Sequence, residues 1–263
     1  MKQQNTGRRT RIVEVARSER LTPTMQRVTL CGEDLADFPA GQESAHIKLL
    51  IPQENQSLTA FRDLVESKSK AVARRTYTVR HHRADTNELD VDFVVHDGGG
   101  PACSWALAAG PGDFIGVAGP GPKKKPVDNA DWYLFGADMA AIPAAAAALE
   151  ELPDDAVGHA VFEITCDDDI QPVDAPDGIQ LHWLVHEDPH TSSEQQLEFF
   201  RSIDWPKGTP GIFVAGESGA VSGLRKYLTN ERGLDKRAMY ISAYWKIGLI
   251  EDQHQVQKQA EAA

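Results

Sequence analysis

The sequence predicts a β plus α/β protein of two domains: an N-terminal antiparallel β-barrel over residues 1–125, then a C-terminal α/β domain with a parallel sheet over residues 126–263. Three observations predict it. Short apolar/polar alternations separated by Gly, Pro and Asp turns fill the first half; "GPGPKKKP" (Gly119 to Pro126) reads as a linker; beyond it, strand-like runs alternate with helix-like ones. A chain of 263 residues suits two modest domains at about 100–200 residues per domain.

The elements follow in order. Ile12-Val13-Glu14-Val15 and Met25-Gln26-Arg27-Val28-Thr29-Leu30 alternate at period two on either side of a turn at Thr22-Pro23. His46 to Pro52, Arg74 to His82, Glu88 to His96 and Gly112 to Pro120 read as further strands, and six short strands joined by turns predict a closed or nearly closed antiparallel barrel. The polar stretch Asn55 to Lys70 is expected to be a loop or a short helix.

Past the linker, Trp132 to Asp138 reads as a strand and the Ala-rich Met139 to Leu152 as a helix. Strands over Ala160 to Cys166 and Ile179 to His186, a helix over Ser193 to Ile203, a strand over Gly211 to Glu217, a helix over Ala220 to Gly233 and a strand over Met239 to Gly248 complete the pattern. Such β–α–β alternation predicts a parallel sheet covered by helices. "GIFVAGESGAVSGLRKYL" then sets a small-residue turn at the carboxyl end of the sheet, where ligands bind in such folds, but without GxGxxG spacing. The tail from Glu251 to Ala263 reads as a polar helix or a frayed end.

Composition excludes several function classes. With 27 Lys+Arg against 39 Asp+Glu, a net charge of -12 and no long basic tract, the chain lacks the electrostatic footprint of a nucleic-acid binder. An anionic ligand must be held by a local basic patch. No run approaches the roughly 20 apolar residues that span a bilayer, and the first residues lead into no apolar signal core, so a cytoplasmic protein without membrane contact is expected. Oligomeric state is not legible in the sequence, and a monomer is the default. Cys31, Cys103 and Cys166 are isolated, which argues against a disulfide framework or a Cys-built zinc site and suits small buried or half-buried residues. No metal site is expected: His81 and His82 are adjacent, so on a strand they would face opposite ways, and no HExxH spacing occurs.

Two stretches carry the chemistry. "RRTYTVR" (Arg74 to Arg80) puts Arg75, Tyr77 and Val79 on one face of a strand and Arg74, Thr76, Thr78 and Arg80 on the other. An arginine fork beside an aromatic ring suits a phosphate and a flat heterocycle; the same residues also suit an ordinary strand with a solvated, charged face. "HDGGGPACSWALAAGPGD" (His96 to Asp113) runs from a strand end through three glycines into Pro101, the start of a helix stopped by Gly110-Pro111. Glycines allow close backbone approach and the helix start offers free N–H groups to an anion, although an ordinary loop can carry the same residues.

Together, the Arg75-x-Tyr77-Thr78 core and the later "VDFVVHDGGGPACSWA" (Val91 to Ala106) resemble the flavin-binding barrel of the siderophore-interacting proteins, FAD-containing ferric-siderophore reductases of the ferredoxin-NADP reductase-like group. The likeness extends from about Arg11 to Asp252, through "HIKLLIP", "GDFIGVAGPGPKKK", "WYLFGADMAAIPA", "FVAGESGAVSGLRKYLTNERGL" and "YISAYWKIG". The resemblance implies that Arg75 binds the FAD pyrophosphate, Tyr77 packs on the isoalloxazine ring and Thr78 bonds near its N5 edge. It places His96 by the flavin or its ribityl chain, makes Gly99, Gly100, Pro101 and Ala102 the phosphate turn, and has Ser104 reach the phosphates. Trp105 is expected near the cofactor or under the turn, and Trp245 against the flavin or as a pocket wall. Asp138 falls in a turn where family members show Asp followed by Glu or Thr; here Met139 follows.

The implied reaction is reduction of a ferric siderophore, with release of ferrous iron in the cytoplasm. Its electrons are expected from NADH, NADPH or reduced ferredoxin. Electron transfer through a cofactor needs no catalytic acid, base or nucleophile, and no such set is evident in the sequence. Many ferric siderophores are anionic, so Lys48, the linker residues Lys123, Lys124 and Lys125, and Lys246 after Tyr244-Trp245 are the expected substrate-binding cations. Two other readings stay open: a general flavin:NAD(P)H oxidoreductase of the same architecture, and a flavin-free siderophore-binding protein.

Overall fold

The alternation beginning at Thr10 forms a 13-residue strand, β1 (Thr10–Thr22), in a computed structural model that describes residues 9–96, 98–249 and 253. The expected tail structure from Glu251 onward lies, Gln253 apart, outside the described residues. β1 buries Val13 and Val15 and serves two partners in succession. Its start pairs with one strand and its remainder with another, and register shifts between Val15 and Arg17 and between Arg20 and Thr22 bend it from one to the other.

The first unit, Met1–Lys124, continues with β2 (Met25–Cys31), β3 (His46–Ile51), α1 (Leu58–Glu66), β4 (Ala73–Thr78), β5 (His81–Arg83), β6 (Glu88–Val94), α2 (Pro101–Ala108) and β7 (Phe114–Ala118). Its strands form one antiparallel sheet in the order β4-β3-β7-β1-β2-β6-β5. The single strand expected over Arg74 to His82 is instead two. At the break the Val79 N–H donates to the Ala45 carbonyl and the Arg80 N–H to the Asp90 carbonyl, so the chain passes there from pairing with β3 to pairing with β6. This crossing brings the two ends of the sheet together. No ladder joins β4 to β6 among the described residues, so the sheet is barrel-like but not closed by hydrogen bonds, and the Tyr77 ring lies on Phe93, 4.4 Å between centroids.

Inward-facing Val28, Leu30, Ile47, Leu49, Val91, Ile115 and Val117 fill the barrel, and α2 lays Ala102, Cys103 and Ala106 on this core. α1 covers a second cluster, with Phe61 fully buried beside Leu50 and Val72. On β2, β5 and β6 a charged network binds the strands: Arg27 holds Asp92 at 2.7 Å, and Asp90 accepts from Thr29 and Arg83. Burial pushes the Asp90 carboxyl up, but hydrogen bonds from Arg83, His81 and Thr29 prevail and hold it well below the ordinary carboxylate range.

The second unit, Lys125–Ala263, contains β8 (Trp132–Asp138), α3 (Ile142–Leu149), β9 (Val157–Ile164), β10 (Gly178–Val185), α4 (Gln195–Ser202), β11 (Pro210–Glu217), α5 (Ser218–Lys226) and β12 (Met239–Trp245). These strands form a parallel sheet in the order β10-β9-β8-β11-β12. Phe200 of α4 and Val221 and Leu224 of α5 pack on Leu134, Val161, Ile212 and Val214. Every residue of α3 is buried. The strand order reverses between β8 and β11, so Asp138 and Glu217, their last residues, stand at the switch point where open α/β sheets take ligands.

The three cysteines are free thiols, Cys103 buried and the others half-buried. No helix among the described residues is long and apolar enough to cross a membrane.

Candidate functional site

In the first unit the glycine turn and α2 form one feature. Gly98 has φ +71, a conformation that favours glycine, and turns the chain after β6. A methyl group on Gly99 would sit 2.4 Å from Cys103 Sγ and 2.6 Å from Cys103 Cβ, so only glycine lets the turn lie against the helix. The Gly99 N–H donates to the His96 carbonyl at 3.2 Å, while the Cys103 thiol lies 3.6 Å from the same oxygen. At Gly100 the surroundings are open: nothing lies within 4 Å of where a Cβ would stand. Gly100 is the N-cap of α2 and brings no side-chain cap, and Pro101 occupies the first helical position. Among the described residues no side-chain acceptor meets the N–H groups of Ala102 and Cys103, which stand at a positive dipole end, an arrangement suited to a phosphate. Ser104 is exposed one residue further on, its hydroxyl 3.4 Å from the Gly99 carbonyl. His96 is exposed at the entry to the turn.

β4 supplies the second component. Register with β3 sets Tyr77 opposite Ile47 and Arg75 opposite Leu49, both on the core-facing side, as the alternation in the sequence predicts. Thr76 and Thr78 face the other way, opposite Lys48 and His46, so Thr78 is on a different face from Arg75 and Tyr77. Tyr77 is half-buried against Phe93, whose ring lies 5.9 Å from Trp105. This aromatic row ties β4 through β6 to α2 and brings Tyr77 and Trp105, distant in sequence, into one cluster. Phe93 is the member that sequence reading passed over; its only signal was an aromatic residue at an inward position of the "VDFVV" alternation. Arg75, two residues before Tyr77 on the same face, donates from Nη1 to the Arg74 carbonyl at 2.8 Å.

The expected substrate lysines fall into different settings. Lys48, half-buried in the middle of β3, donates to the Thr76 hydroxyl. Lys124 is buried at 8% exposure, with its N–H 3.3 Å from the Ser44 hydroxyl; Lys123 is half-buried. Lys125 is exposed and pairs with Asp128 at 2.6 Å. Lys246 lies half-buried just past the end of β12 in the second unit.

In that unit the switch point is built from two carboxylates. Asp138 Oδ1 accepts from Ala140 N at 3.0 Å and Ala141 N at 3.2 Å; Oδ2 accepts from Glu217 N and from Trp245 Nε1, each at 2.7 Å. Burial pushes Asp138 up to about 6 against these donors, and the charge of Glu163 adds to the rise. Glu217 Oε2 caps α5 by accepting from Gly219 N and Ala220 N, while Oε1 accepts from Ile247 N at 3.3 Å. The sequence pointed to this turn and to Asp138, but not to the side-chain bonds that join them, because each partner comes from a different strand. Among the described residues, no group of three or more His, Cys, Asp or Glu is placed to hold a metal ion.

Family comparisons match both units. Residues 14–124 match the siderophore-interacting FAD-binding domain, and residues 130–248 match siderophore-interacting protein. The chain is 35% identical over 250 residues to ferric vibriobactin reductase ViuB of Vibrio cholerae, covering 92% of this chain and 91% of that protein. It is 29% identical over 248 residues to the NADPH-dependent ferric-chelate reductase of Escherichia coli, covering 90% and 93%. Among solved structures, the siderophore-interacting protein SipS from Aeromonas hydrophila superposes with a TM-score of 0.85 at 31% identity, covering 98% of this chain and all of that one.

Proposed function

The chain belongs to the siderophore-interacting protein family, and from that premise we propose that it is an FAD-dependent ferric-siderophore reductase that releases ferrous iron in the cytoplasm. The observation that carries the proposal is the open turn at Gly100 before an α2 start without a side-chain cap, linked through Trp105 and Phe93 to Tyr77. A dinucleotide with a planar ring fits that set: positive helix terminus, arginine and aromatic face.

Each residue then has a task. Arg75 presents a bidentate fork to the pyrophosphate, and the Gly99–Gly100 turn brings the Ala102 and Cys103 amides to it, with Ser104 adding a hydroxyl. Tyr77 and Trp105 supply flat apolar surface, Thr78 a hydroxyl at the ring edge, and His96 a contact by the ribityl chain. Bound FAD supplies the capacity to take up electrons in pairs and pass them on singly. Ferric iron in hard oxygen ligands is held tightly and ferrous iron exchanges more readily, so the protein needs only to hold the chelate near the cofactor. Lys48 and Lys246 are assigned to an anionic ferric siderophore, with Lys123 and Lys124; Lys125, already paired with Asp128, contributes least.

For the electron donor, the E. coli relative's name supports NADPH, or NADH in its place. One observation favours reduced ferredoxin instead: the α5 start, which could receive a nucleotide phosphate, already holds the Glu217 carboxylate.

The test is a visible spectrum of the anaerobically photoreduced protein as ferric siderophore is added with a ferrous chelator present. Oxidised flavin bands returning in step with ferrous-chelate colour support the proposal. A flavin that stays reduced points to a general flavin:NAD(P)H oxidoreductase, and a colourless preparation overturns the cofactor assignment. Flavin bleaching by NADH, NADPH or reduced ferredoxin ranks the donors.

A further inference from the structure

We propose that Asp138 and Glu217 are positioning residues that fix the substrate cation Lys246 by gripping the residues on either side of it. The inference rests on the assignment of Lys246 to the ferric siderophore. Trp245 is held through its indole N–H by Asp138 Oδ2 at 2.7 Å, and Ile247 through its backbone N–H by Glu217 Oε1 at 3.3 Å. Neither carboxylate is free to swing. Asp138 is anchored by the N–H groups of Ala140, Ala141 and Glu217, and Glu217 by those of Gly219 and Ala220.

The backbone is shaped for this grip. β11 and β12 pair in register up to Gly216 and Ala243, then shift so that Glu217 stands opposite Trp245, with Tyr244 bulged out. Such a bulge re-aims the side chain that follows it. Gly216 has φ +146, and a Cβ there would lie 2.6 Å from Asp138 Cγ, so the carboxylate can sit over β11 only where the strand carries glycine. Lysine is a flexible point charge, and fixing its backbone from both sides reduces the disorder lost when it meets an anion.

The test uses FAD-loaded protein and two ferric substrates, a strongly anionic tris-catecholate and a neutral trihydroxamate. Lys246→Ala is expected to raise KM for the catecholate about tenfold with kcat held within about twofold. Asp138→Asn turns an amide N–H₂ toward two N–H donors whichever way it is placed, and is expected to raise the same KM about three- to tenfold. Glu217→Gln turns an amide N–H₂ toward either the Ile247 N–H or the α5 N–H groups, loosens the grip from the other side of Lys246, and serves if Asp138→Asn folds poorly. Combining Asp138→Asn with Lys246→Ala should add nothing to Lys246→Ala alone, and trihydroxamate KM should not move. A merely structural role would alter both substrates alike and would add in the double variant; either result overturns positioning. An unchanged catecholate KM in Lys246→Ala overturns the substrate assignment of Lys246 itself, and positioning with it, whereas a raised KM there with none in Asp138→Asn or Glu217→Gln overturns positioning alone.

Discussion

Gly99 and Gly100 are neighbours with opposite expected sensitivities. At Gly100 the backbone has φ -71 and ψ -176, which any residue adopts, and a methyl group meets nothing within 4 Å. Alanine is a poorer N-cap than glycine but stiffens the unfolded chain, two opposed effects on the order of 0.5–1 kcal/mol. Gly100→Ala should therefore leave the flavin-stripped protein within about 1 kcal/mol of the parent. With the FAD phosphate on the Ala102 and Cys103 amides, as proposed, the methyl group would crowd its approach, so FAD affinity should fall about tenfold or more, equivalent to at least about 1.4 kcal/mol. At Gly99 the added carbon would lie 2.6 Å from Cys103 Cβ and 3.1 Å from the His96 carbonyl. Those atoms belong to the helix and the turn and cannot swing away, so Gly99→Ala should cost about 1–3 kcal/mol of stability. Removing the sulfur with Cys103→Ala should not restore it. Thermal melts of stripped protein give the stability and FAD titration by quenching of flavin fluorescence gives the affinity. If Gly100→Ala binds FAD as tightly as the parent, the turn is not the phosphate cradle.

Other perturbations separate the remaining roles. Tyr77→Ala should lower FAD retention and, by emptying a half-buried place beside Phe93, cost about 2 kcal/mol, whereas Tyr77→Phe should keep both; purification of the alanine variant with full flavin would show that the ring does not carry the cofactor. Replacing Lys48 and Lys246 together by alanine should weaken binding of an anionic ferric siderophore with FAD content unchanged, an effect that shrinks as salt is added; unchanged affinity at low salt would exclude a basic site. Asp138, raised to about 6, favours the folded state while protonated, and that contribution is lost as pH rises through 6. From pH 4 to 7 the parent should lose about 2 kcal/mol relative to Asp138→Asn, which does not titrate. A stability difference that stays flat across that range would contradict the raised value.

Much of this molecule is legible in its sequence because its local signals and its packing agree. The strands around Val13, Val28, Ile47 and Val91 bury the residues that alternation selects, and Pro101 and the glycines before it begin α2 where spacing places it. Arg74 to His82 misled because its alternation runs unbroken through Val79-Arg80 while its hydrogen-bond partner changes from β3 to β6, a long-range event with no local mark. The site divides in the same way. Arg75, Tyr77 and the glycine turn declare themselves by residue type. Phe93, and the bonds that Asp138 and Glu217 make, depend on strands meeting across the sheet.

The alanine-rich helix α3 has a consequence for how this protein can change. All eight of its residues are buried, from Ile142 to Leu149, so none of its positions is a neutral surface on which substitutions accumulate. α5, by contrast, buries only Val221 and Leu224. In a saturation library α3 should tolerate almost nothing larger than alanine at its five central positions, while α5 accepts charge along its outer side. Lineages diverging from this sequence are then expected to keep a small-residue helix after β8 while the helix after β11 drifts freely in charge.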